Sequence, residues 1–306
     1  MWHSIKYLPV EWFPRDFPCT PRGPDVRRAR PVTIRVADSK LNLKVPRHSP
    51  SSSSMQQYNL FLGRDALAQG LFSAHGRESM VNDHWGFASA LSRRWAFWGP
   101  WMSGCKAELH FGITVVGRQQ GLEFPNTSFF HPRAFEMVVT RYLNDRYGHD
   151  RWGSAEDYYL PRHAGPFDWQ THNHLPVFSA SCKICDTAWD GKTLREDRFE
   201  RLFFFPITDQ HFVRVSFHQY LYAYDDQGNI TFDPSPVQAL QDAVFNSMTL
   251  GLSPEAQASY DKVKAECPDV RLNETFPPLD WPTKENTPGE DLAPNPSGKA
   301  QLAHGR

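Results

Sequence analysis

The chain has 306 residues and a formal net charge of −1, with 40% hydrophobic and 22% charged residues. That composition belongs to a globular chain with an ordinary core and excludes a disordered or collagen-like one. A near-neutral charge supplies no global field toward nucleic acid or an anionic membrane. The five cysteines, an odd number in a long chain, argue against a secreted disulfide scaffold.

No apolar run approaches the roughly 20 residues of a membrane helix. The opening MWHSIKYLPVEWFPRDFPCT lacks the charged, apolar and small-residue layout of a signal peptide, so a cytoplasmic location is expected and the sequons at Asn126 and Asn273 carry no meaning. Aromatic residues are abundant, with 10 Trp and 22 Phe, which serve both cores and interfaces.

Residues 1–31 hold six prolines and the run Val26-Arg27-Arg28-Ala29-Arg30, and read as an extended arm pinned by Trp12, Phe13 and Phe17. A body over 32–270 follows, with a sub-boundary expected near 150–165. Val32, Ile34 and Val36 alternate with polar residues, Ala37-Asp38-Ser39-Lys40 turns, and Leu41, Leu43 and Val45 alternate again, a hairpin. The tract at 47–54 reads as a flexible loop, 58–62 as an apolar stretch, and GRDALAQGLFSAHG as a short helix. The Trp-rich segment that follows has no readable period before Gly99-Pro100 breaks it.

KAELHFGITVV then reads as a half-buried strand, with Ala107, Leu109, Phe111, Ile113 and Val115 on one face and Glu108, His110 and Thr114 on the other. The best helix opens at Pro132, with an apolar stripe of Phe135, Val138, Val139, Tyr142 and Leu143; Arg141 and Asp145 support its wet face and Gly148 stops it. Leu202 to Ile207 reads as a central strand, and His211 to His218 alternates with Val213, Val215 and Phe217 inward. Asp225 to Asn229 turns into a strand at 230–232. Ser235 and Pro236 open a helix with Val237, Leu240, Val244 and Met248 inward. Ser253-Pro254-Glu255 opens another, with Ala256, Tyr260 and Val263 inward. From 271 to 306 the chain reads as a disordered tail. Long antiparallel strands with separated helices and no βαβ rhythm predict an α+β fold, an antiparallel sheet with flanking helices.

Motifs for phosphate binding, the GxSxG nucleophile elbow, HExxH and the EF-hand are missing, and the SxxK match at Ser259–Lys262 carries no signal. In THNHLPVFSASCKICD, His172 and His174 share the face of a strand. With Cys182 and Cys185 they offer four ligands of the type zinc takes, although the spacing fits no zinc module and core packing accounts for the same residues. The residues after Cys185 turn rather than start a helix, against a redox CxxC. His163 with Asp168, Glu156 and Asp157 forms a polar loop with acid–base groups. Arg93, Arg94, Trp95, Trp98 and Trp101 concentrate the residue types of binding hot spots.

RRWAFWGPWMSG at 93–104, FFHPRAFEMVV at 129–139, RLFFFPITDQHFVRVSF at 201–217 and SMTLGLSPEAQ at 247–257 resemble proteins of proteobacteria associated with type VI secretion effector and immunity gene clusters. The closing order of strand, strand, turn and helix resembles the PsbP/Mog1-like fold of some secretion adaptors, with room for two such sub-domains. The missing catalytic motifs, the aromatic and Arg-rich segment and this resemblance together lead to the expectation of a non-enzymatic cytoplasmic protein that binds another protein, an immunity or adaptor component for a secreted antibacterial effector. Arg93, Arg94, Trp95, Trp98 and Trp101 would be its partner-binding surface, with no cofactor and no catalytic residue. The alternative is a zinc-binding protein or metal-dependent enzyme built on His172, His174, Cys182 and Cys185.

Overall fold

A computed structural model describes residues 6–8, 10–13, 18–47, 64–68, 85–118, 127–148, 150–152, 160–225 and 227–280. The expected apolar stretch at 58–62, Phe17, Asn126, Glu156, Asp157 and residues 281–306 lie outside them. Of the expected helix at 63–76 only residues 64–68 are described, and they form a turn.

Strands β1 (Arg30–Val36) and β2 (Ser39–Val45) form the expected hairpin. Ala37 and Asp38 both take positive φ (46° and 61°), the two-residue turn whose twist matches the strands. The main sheet has six strands in the order β3 (Trp85–Trp98), β4 (Cys105–Arg118), β10 (His211–Leu221), β9 (Leu194–Pro206), β8 (Ser179–Thr187) and β7 (His163–His172). Every neighbouring pair in it is antiparallel. A short pair, β5 (Arg151–Trp152) and β6 (Leu160–Pro161), lies between the halves. The helices are α1 (Pro132–Leu143), α2 (Ser235–Asn246) and α3 (Pro254–Glu266), and β11 (Thr249–Gly251) joins β2. The fold is α+β. No helix among the described residues is long and apolar enough to cross a membrane.

Both faces of the main sheet are packed, unlike the half-buried strand expected of 106–116. On one side α1 buries Phe135, Val138, Val139, Tyr142 and Leu143 against Val116, Leu202, Phe204 and Phe212. On the other, α2 and the small sheet bury Val237, Leu240 and Val244 against Ile113, Val115, Phe203, Val213 and Phe217. Each such side chain contributes about 1.5–3 kcal/mol. The sheet runs across the expected sub-boundary: β3 and β4 precede residue 150 and the other four strands follow it.

Several expectations change locally. Trp12 and Phe13 are exposed; backbone bonds hold the arm instead, Trp12 N–H to Met102 O at 2.8 Å and the paired Arg22 and Trp98 at 2.8 and 2.9 Å. Asp145 is buried rather than wet, because the Trp85 indole donates to it (2.9 Å) alongside Arg141 (3.0 Å). Residues 230–232 make one isolated bridge, Tyr224 with Ile230, rather than a strand. Ser235 does not cap α2: Pro234 holds the cap position without a side-chain bond, and Asp233 before it accepts from the Ser235 N–H at 2.9 Å. Residues 271–280 are docked, against the expectation of disorder from 271. Phe276 stacks on Trp169 (4.2 Å), Asp280 N–H bonds Asn144, and the Asn273 N–H and side chain bond Glu136.

Candidate functional site

Strand periodicity decides the first candidate. Side chains three apart on a strand point to opposite faces. Cys182 pairs opposite Leu202, and both belong to the α1-side core, whereas Cys185 pairs opposite Phe199, which lines a cleft on the α2 side, so alternation turns the Cys185 side chain that way. Both are buried free thiols, and burial raises both pKa values. His172 closes β7 and His174 lies in the loop after it. Their rings are 6.1 Å apart and pack on Phe245 of α2 at 5.1 and 4.4 Å. Burial lowers both their pKa values. His172 Nε2 lies 2.8 Å from Ser181 Oγ. His172 pairs with Ser179, six residues from Cys185, about 20 Å along the strand. The zinc set His172, His174, Cys182 and Cys185 therefore does not assemble. Among the described residues no group of three or more His, Cys, Asp or Glu side chains is placed to hold a metal.

The five-residue surface also divides. Trp95 is fully buried, stacked on Phe111 at 5.6 Å, with its indole donating to Arg47 O at 3.1 Å. Arg93 is 8% exposed and bonds Ser92 O. Arg94 points to the opposite face and pairs with Glu108. Trp98 is half-buried, and Trp101 is 55% exposed in the turn after β3. A core residue, two cations on opposite faces and a turn residue do not form one surface. His163 and Asp168 separate as well: His163 faces Asp150 and Asp186 on the α1 side, and Asp168 lines a cleft on the α2 side.

Beyond the end of α1 the same α1-side face becomes polar. Arg94, His110, His218 and Glu200 pair in register across β3, β4, β10 and β9, one rung of four strands that ends on Ile184 of β8. The next rung carries Ala96, Glu108, Tyr220 and Arg198. Both rungs lie beyond the reach of the α1 stripe, so polar side chains are tolerated there.

Each carboxylate in this face is engaged. Glu108, 1% exposed, accepts from Arg94 Nε at 2.7 Å and from the Tyr222 hydroxyl at 3.2 Å, with His110 Nε2 at 3.5 Å. Burial would raise its pKa, but His110, Arg94 and Tyr222 outweigh burial and hold it below its ordinary value. Glu200 accepts from the Tyr147 hydroxyl at 2.6 Å. Burial opposes its charge too, yet Arg214, His218 and Arg146 with Tyr147 pull its pKa down to about 2. Arg214 in turn donates to the Tyr142 hydroxyl at 2.6 Å. His163 sits 3.0 Å from Asp150 and 3.2 Å from Asp186, which outweigh its burial and raise its pKa.

The rings are ordered over these anchors. Tyr220 stacks on His218 (4.4 Å) and lies 4.8 Å from His110. Burial lowers the His218 pKa, and its Nε2 is buried without a hydrogen-bond partner among the described residues. Sequence reasoning noted Glu108 and His110 as one face of one strand and assigned Arg94 to a different surface, without bringing the three together. The signal that would have found the rest is the register between strands, which no local spacing carries.

Comparison with family models, curated proteins and solved structures found no match.

Proposed function

We propose that the chain is a non-enzymatic, cytoplasmic protein-binding component, an immunity or adaptor protein for a secreted antibacterial effector, and that it engages its partner through the polar half of the α1-side face. The observation that carries this reading is the rung of Arg94, His110, His218 and Glu200 with Tyr220 stacked over it. Tyr and Arg dominate binding hot spots. Here Arg94 is held by the buried Glu108 and Tyr220 by stacking on His218, so little side-chain entropy remains to be lost on association. Glu108, Glu200 and Asp186 are each occupied by a donor, which suits fixed acceptors better than a general base awaiting substrate.

The link to a secreted effector is supported by the sequence resemblance at 93–104, 129–139, 201–217 and 247–257. The order β9, β10, α2, β11 supports a PsbP/Mog1-like reading of the fold. Co-expression with the product of the neighbouring gene tests the proposal: the two proteins should co-purify, and a His110→Ala, Tyr220→Ala double variant of unchanged melting temperature should release the partner. Retention by that variant would remove the face from the account.

One observation favours a second reading. His163 has a raised pKa and His218 a lowered one on the same face, and environments that push two imidazoles apart are the usual basis of acid–base assignments. In that reading His163 is the acid and His218, through its unpartnered Nε2, the base. Labelling of His218 by diethyl pyrocarbonate at neutral pH, faster than that of His163, would support it; equal rates would end it.

A further inference from the structure

The α2 side of the sheet carries a separate cleft of about 330 Å³, between the edge strand β7 and helix α2 with β8 and β9 as its floor. That volume lies at the lower end of small-molecule sites. Its walls balance in charge, with Lys183 and Arg201 against Asp168 and Asp242. Arg201 and Asp242 satisfy each other at 2.8 Å. Among the described residues the side chains of Asp168 and Lys183 make no hydrogen bond or ion pair, although the Lys183 ammonium is seated over the Phe199 ring at 4.4 Å. An unpaired anion and an unpaired cation thus face one small space.

Two further features mark the cleft as built. Asp168, which lines the cleft, is held at φ +52°, a left-handed backbone that costs a non-glycine residue free energy. Gln241 of α2 is only 2% exposed, and its amide donates to Gln219 at 3.2 Å while the residue still lines the cleft. Carboxamides offer both a donor and an acceptor, which suits an amide-bearing ligand.

We infer that this cleft binds a zwitterion of the α-amino acid or dipeptide class, with its ammonium on Asp168 and its carboxylate on Lys183 and Arg201. A simple anion would meet Asp168 and Asp242, and a simple cation would meet Lys183 and Arg201. A neutral sugar would leave both unpaired charges unused, and the ring face it would stack on is covered by Lys183. Only a ligand with both charges satisfies the set.

Isothermal titration of the full chain tests this with L-glutamine, N-acetyl-L-glutamine, which lacks the ammonium, and glucose. Loss of one charge-assisted contact corresponds to about tenfold in affinity or more. L-glutamine should therefore bind at least about tenfold tighter than either of the others. Asp168→Asn keeps the left-handed backbone, since Asn tolerates it, and should weaken L-glutamine by that factor while leaving N-acetyl-L-glutamine unchanged. Lys183→Gln should weaken both amino-acid probes. Absence of saturable binding by L-glutamine at millimolar concentration, tighter binding of glucose, or an Asp168→Asn protein that binds L-glutamine as wild type would each overturn the inference.

Discussion

Tyr147 and Glu200 stand 53 residues apart in the chain and 2.6 Å apart in the fold, where the Tyr147 hydroxyl donates to the Glu200 carboxylate. Tyr147 comes from the π-helical turn that ends α1, and Glu200 from the middle of β9. The bond ties the helix end to the polar half of the sheet. Hydrogen bonds to a charged group contribute about 1.5–3 kcal/mol. Tyr147→Phe is expected to lower unfolding stability by about 2 kcal/mol in urea denaturation, with no change of m-value. A loss within experimental error would show that the bond does not form.

The charge of Glu200 predicts a pH dependence. Its folded pKa is about 2 against an ordinary 4.5. A depressed carboxylate pKa contributes stability that is present above the unfolded value and lost as pH falls through the folded one. The window is therefore pH 4.5 down to about 2, and the contribution is about 3 kcal/mol. Wild type should lose that much more stability than Glu200→Gln between these two pH values. Parallel curves for the two proteins would refute the linkage.

His163 works in the opposite direction. Asp150 and Asp186 raise its pKa above 6.5 despite burial. Its contribution is fully present below pH 6.5 and is lost as pH rises through the folded value. His163→Gln should consequently cost more at pH 6 than at pH 9, measured by the difference in urea midpoint from wild type.

Much of the core was legible from local pattern, and the reason it failed elsewhere is physical. Alternation in Ala107–Val115 and the stripe of α1 both survive, because each element keeps one period throughout. β3 did not read as a strand because a bulge between Ser89 and Leu91 reverses its parity: Trp85 and Phe87 pack on the α1 side, Leu91, Trp95 and Phe97 on the other. β8 did not read as a strand because both of its faces are buried, which removes alternation and leaves CxxC as the visible motif; packing of Cys182 and Cys185 in the core was among the sequence readings. The polar face draws on Arg94, His110, Glu200 and His218, residues that only strand register brings side by side.

The end of β3 separates two tryptophans that a surface reading would group, Trp95 inside the strand and Trp101 in the turn after it. Trp95→Ala empties a buried site and should cost about 3–5 kcal/mol in unfolding stability. Trp101→Ala removes a largely exposed ring and should stay within about 0.5 kcal/mol of wild type.

The division of Cys182 and Cys185 between faces predicts that purified protein carries well under one zinc per chain by elemental analysis. A thiol reagent should label Cys182 only after denaturation, since it is 2% exposed. Stoichiometric zinc, or rapid native labelling of Cys182, would contradict the placement of β8.

The most direct test of the recognition face is calorimetric titration of the full chain with the product of the neighbouring gene, comparing wild type with Tyr220→Ala and Trp101→Ala. Hot-spot truncation costs about 2 kcal/mol or more, over tenfold in affinity. Tyr220→Ala should show that loss and Trp101→Ala should bind as wild type. A Tyr220→Ala protein that binds as tightly as wild type, or a wild type that does not bind at all, would contradict the account.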